Sequence, residues 1–133
     1  MKKVLSSNLA INVTLGLLSM VLLFHMLIFV QIIPYTIVWG GRLNSVEEMR
    51  VFEVISILIN MFIILVLLLK ANHIKNNTSK KLLNGIIWIF AIVFALNTIG
   101  NLFANTKFEL YVFTPMTFVL SLLCLRIVLE KVN

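Results

Sequence analysis

Four long apolar runs dominate the chain, at roughly Leu9–Ile33, Val51–Leu69, Leu82–Ala104 and Leu110–Leu129. Short polar stretches separate them. A helix needs about 20 apolar residues to cross a hydrocarbon layer of ~30 Å. In that layer a helix also satisfies its own backbone hydrogen bonds, which an open strand cannot do. The pattern therefore predicts an all-α integral membrane protein: an antiparallel four-helix bundle, folded as a single transmembrane domain over residues 1–133. Three loops join the spans, at Pro34–Arg50, Lys70–Lys81 and Asn105–Glu109.

Two helix starts are marked by capping chemistry. Ser45-Val46-Glu47-Glu48 has the spacing in which a serine oxygen accepts a free backbone N–H and a glutamate reaches back. This places the start of the second helix about a turn before its apolar run. Thr106-Lys107-Phe108-Glu109 repeats the device before the fourth.

Composition supports lipid as the solvent. Hydrophobic residues make up 61% of the chain and charged residues 12%, and the mean hydropathy is +1.08. Soluble domains carry about 25% charged residues, and a small one cannot hide this much apolar surface. The net charge of +6 is distributed between the apolar runs rather than gathered into a nucleic-acid footprint, so nucleic acid is excluded as a partner. The first run is too long for the core of a secretory signal peptide and no small-residue cleavage site follows it. It is read as a retained helix.

The cations orient the chain. With both termini in the cytoplasm, Lys2, Lys3, Lys70, Lys75, Lys80, Lys81, Arg126 and Lys131 lie inside, and Arg42, Arg50 and Lys107 outside. That bias satisfies the positive-inside rule. Minimal loops and a lean chain point to a bacterial cytoplasmic (inner) membrane.

Candidate chemistry follows from depth. Polar residues within a membrane helix tend to face its interior and to mark function. At a rise of about 1.5 Å per residue, His25 and Gln31, Glu53 and Asn60, Asn97 and Asn101, and Thr114 and Thr117 fall in the outer half or near mid-membrane. They come from all four helices, and the inner half has far fewer. This predicts an outward-facing polar pocket with His25, Glu53, Asn60, Asn97 and Asn101 as ligand-binding residues, and Trp39 and Arg42 at its mouth. Each has a plainer structural reading. The asparagines can bond between helices as packing contacts, His25 can donate to a backbone carbonyl, and Glu53 can pair with Arg50 or Arg42.

Three further features bear on the pocket. Thr114, Thr117, Ser121 and Cys124 form a narrow stripe on the fourth helix, which reads as a packing seam. Pro115 removes a backbone donor from the same helix, predicting a kink or a place in its first turns. The segment from Ile33 to Leu43 holds Tyr35 and Trp39, suited to the membrane interface, and two glycines that permit a tight turn. It is either a lid over the pocket or a loop resting on the headgroups.

These observations support a protein that binds or transports a small amphipathic or lipid-like ligand. The alternatives are an accessory, assembly or immunity-type protein acting through helix contacts, and a lipid-modifying enzyme using His25 and Glu53. No nucleophile motif or phosphate loop supports an enzyme, so no catalytic residue is assigned. Cys124 is the only cysteine, which excludes an intrachain disulfide or a thiolate cluster, and neither a metal nor a cofactor is expected. The partners implied are membrane lipids, a small amphipathic ligand, and a second copy of the chain or another membrane protein.

Overall fold

The computed structural model describes residues 6–104 and 106–129. Lys2, Lys3 and Lys131, which entered the reading of orientation, lie outside these residues, as does Asn105. Four helices carry the fold: α1 (Ser7–Phe29), α2 (Val46–Lys70), α3 (Lys80–Leu102) and α4 (Thr114–Val128). A π-helical turn, Glu109–Phe113, leads into α4, and two short 3₁₀ turns, Tyr35–Ile37 and Trp39–Gly41, lie between α1 and α2.

Serines start three of the helices. Ser6 accepts from the Leu9 amide at 3.2 Å, Ser45 from Glu48 at 3.1 Å and Ser79 from Leu82 at 3.4 Å. Each such cap stabilises its helix by about 1 kcal/mol. The first span ends at Phe29 rather than at Ile33. Gln31 turns left-handed at φ 66°, and the Ile32 amide closes back on the Leu27 carbonyl at 2.9 Å, the bonding of a helix C-terminus. Gln31 thus ends the helix, and Pro34, which disfavours helical geometry at Ile33, keeps it from resuming.

Pro115 produces a π turn. With no amide proton at Pro115 the regular bond pattern cannot continue, and residues 109–113 adopt the wider turn instead. Thr106 caps this segment, accepting from the Glu109 amide at 3.3 Å.

All four helices share one apolar core, with Ile11 and Leu18 of α1, Leu67 of α2, Ile87 of α3 and Leu120 and Ile127 of α4 fully buried. The α3–α4 interface is the most extensive. Its polar contacts come from the stripe on α4: Ser121 Oγ donates to the Ala91 carbonyl at 2.7 Å, and the Thr98 and Thr117 hydroxyls meet at 2.9 Å. The stripe is thus a packing seam against α3. A second, smaller core of Ile28, Val38 and Met49 lies under the loop between α1 and α2.

Each of the four helical segments is long and apolar enough to cross a membrane, and only 22% to 33% of each apolar window is buried inside the protein. Met20, Leu58 and Leu96 are each at least 60% exposed. Water would penalise these surfaces at about 25 cal/mol per Å², whereas lipid covers them without cost. This is the surface of an integral membrane protein.

Candidate functional site

Glu53 is fully buried, at 0% exposure, two turns into α2. Burying a carboxylate is costly unless its oxygens are bonded. Here both are. Oε2 lies 2.6 Å from His25 Nδ1 on α1, a short hydrogen-bonded contact. Oε1 accepts from the Trp39 indole N–H at 2.9 Å. Three separate elements thus converge on one carboxylate.

The loop that delivers Trp39 is bent to do so. Trp39 has φ 55°, and Gly41 has φ 71°. Glycine adopts the left-handed region freely, but a bulky side chain there is unusual and costs of order 1–3 kcal/mol. Several contacts offset that cost. The Trp39 ring packs on Phe52 with centroids 5.1 Å apart, and the preceding Val38 is buried. The Gly41 and Arg42 amides bond back to Val38 and Trp39 at 3.0 and 3.3 Å. Across the same end of the molecule, the Thr106 hydroxyl lies 3.0 Å from both the Ile37 carbonyl and Glu109 Oε1, tying this loop to the segment before α4.

Aromatic rings wall the histidine. Phe24 stacks on Phe108 at 5.6 Å and meets Phe113 edge-on at 5.2 Å, and the His25 ring lies against Phe24 at 6.2 Å. The imidazole therefore has one polar neighbour, Glu53, and an apolar flank. Its Nε2 has no hydrogen-bond partner among the described residues.

The structure brings together three of the residues singled out from sequence: His25, Trp39 and Glu53. It does not bring Arg42, Asn60, Asn97 or Asn101 to them. Arg42 is exposed. Asn60 donates to the Ser56 carbonyl of its own helix at 2.8 Å, and Asn101 approaches the Thr117 hydroxyl at 3.5 Å. Asn97 is exposed on the outer surface of α3. Arg50, read as a partner for Glu53, instead lies over the Phe29 ring, 5.5 Å from its centroid. His25, read as a donor to a backbone carbonyl, meets a carboxylate.

Sequence reasoning missed the Phe24–Phe108–Phe113 cluster and the Thr106–Ile37 tie. Both join residues far apart in the chain, and no local spacing announces them. A depression of about 240 Å³ lies on the same loop, lined by Gln31, Ile33, Pro34, Tyr35 and Thr36. A second, of about 200 Å³, lies at the opposite end, between Asn8, Asn12, Ala71 and His73. Neither reaches Glu53, so the carboxylate is closed off in this conformation.

Comparison with known protein families, curated proteins and solved structures found no match, so the functional reading rests on the geometry.

Proposed function

We propose that this is a small polytopic membrane protein that binds or transports a small amphipathic or lipid-like molecule at an outward-facing polar site, for which the Trp39 loop serves as the lid. The helices run antiparallel with both termini in the cytoplasm of a bacterial cell, so the Trp39 loop faces outside. One observation carries the reading: a fully buried carboxylate, Glu53, holds a strained tryptophan from an otherwise surface loop.

A tie between α1 and α2 needs only His25 and Glu53. Trp39 adds a third arm from a segment that can leave. When it does, Glu53 Oε1 becomes a free acceptor beside an imidazole, under an apolar wall of Phe24, Phe52 and Phe113. Apolar walls with a few convergent polar groups are the usual build of a ligand site. Asn60, Asn97, Asn101 and Arg42 lie apart from this centre, Asn60 bonded to its own helix and Asn101 facing α4, so the site is proposed without them.

The test is native mass spectrometry of the chain extracted from its host membrane in mild detergent, with nothing added. A bound small molecule or lipid on the wild type, lost in Glu53→Gln and in Trp39→Phe, supports the site. A ligand-free wild type carrying a bound second protein overturns it and favours the assembly reading.

A further inference from the structure

Asn97 is exposed on α3 and has no hydrogen-bond partner among the described residues. It lies five residues before the end of α3 at Leu102, or about 8 Å by helical rise, within the apolar span. A carboxamide facing hydrocarbon without a partner is costly. Asn60 meets the same demand by bonding to its own helix, and Asn101 by approaching α4. Asn97 does neither.

The surface beside Asn97 is patterned. Ile86, Ile89, Val93, Leu96, Gly100 and Phe103 recur at alternating spacings of three and four, the seam of a left-handed helix pair. All except the half-buried Ile86 are exposed. Asn97 sits at the edge of this seam, one turn from both Val93 and Gly100. A Cβ built on Gly100 meets nothing within 4 Å, so another backbone has room to approach. No charged residue lies between Lys81 and Lys107, so two like faces do not repel each other there.

We infer that this α3 face pairs with a second copy of the chain, with Asn97 bonded to its counterpart across a twofold axis. A carboxamide both donates and accepts, so it complements itself under that symmetry. Interhelical amide bonds and close approach at small residues are the forces that associate helices in lipid. The seam is built from α3 and its C-terminal cap Phe103, whereas the His25–Glu53–Trp39 site is built from α1, α2 and their loop, so pairing leaves the lid uncovered.

The experiment has two parts. Gly100→Cys in a Cys124→Ser background is oxidised in native membranes, with Leu58→Cys on α2 as the lipid-facing control. A disulfide dimer at Gly100→Cys and none at Leu58→Cys is expected. Equal dimer at both positions, or none at either, overturns the proposal. The dimer dissociation constant in detergent is then measured for the wild type, Asn97→Leu and Asn97→Gln. Asn97→Leu weakens the dimer about tenfold while Asn97→Gln keeps most of the affinity. An unchanged constant for Asn97→Leu, or loss of a bound lipid from this variant with no change in dimer, overturns it.

Discussion

Trp39 and Glu53 lie fourteen residues apart, and the indole of one donates to the buried carboxylate of the other at 2.9 Å. One partner sits on a turn between two helices and the other deep on a helix face. The bond therefore couples the position of a surface loop to the state of an ionisable group in the membrane-spanning region. His25, on the second oxygen of that carboxylate at 2.6 Å, connects α1 to the same point. A change at any of the three is felt by the other two.

The first prediction concerns that coupling. His25→Ala and Glu53→Gln each destabilise the protein, since each leaves a buried polar group without its partner, at about 1–3 kcal/mol. Together they cost less than the sum. A double-mutant cycle on detergent-resistant unfolding returns a coupling of about 1 kcal/mol or more. Strict additivity contradicts the pairing.

Backbone strain in the Trp39 loop gives the second. Gly41 occupies the left-handed region at φ 71°, where a β-carbon costs about 1–2 kcal/mol. Gly41→Ala loosens the loop, and in a Trp88→Phe background acrylamide quenches the remaining tryptophan more efficiently than in the parent. Unchanged quenching shows that the loop does not depend on this geometry.

The third concerns the tie across the loops. Thr106→Val removes the hydroxyl beside Ile37 and Glu109, a loss of about 1 kcal/mol. Hydrogen exchange of the amides in 35–42 accelerates, while exchange in the α3–α4 seam stays as it was. Uniform acceleration across the chain points instead to global destabilisation.

Orientation supplies the fourth. Asn44→Cys in a Cys124→Ser background reacts with an impermeant maleimide applied from outside. Asn77→Cys, in the loop between α2 and α3, reacts only after the membrane is opened. The reverse pattern inverts the topology read from the cations.

The four spans were legible because length and hydropathy act over 20 residues at a time. The capping serines and the seam on α4 are local patterns; Ser45 is marked by Glu48 three residues on, whereas Ser79 is followed there by Leu82 and carries no such mark. The end of α1 was placed too late because apolar residues continue past the helix to Ile33, and only the left-handed Gln31 ends it. The site was half visible. Depth alone placed His25, Glu53 and the asparagines together, but depth does not give the rotation of each helix about its axis. That rotation sends Asn97 outward and Glu53 inward. Trp39 was foreseen at the mouth, whereas its bond to Glu53 depends on two residues, 39 and 41, at positive φ.

The most direct test of the lid is the reactivity of Glu53 towards a hydrophobic carbodiimide, read by mass spectrometry of the peptide that contains it. The account predicts slow labelling of the wild type and labelling at least about fivefold faster in Trp39→Ala, with Glu47 as an exposed reference that does not change. Equal rates in the two proteins would mean that Trp39 does not control access to the carboxylate, and the closed-site reading would fall.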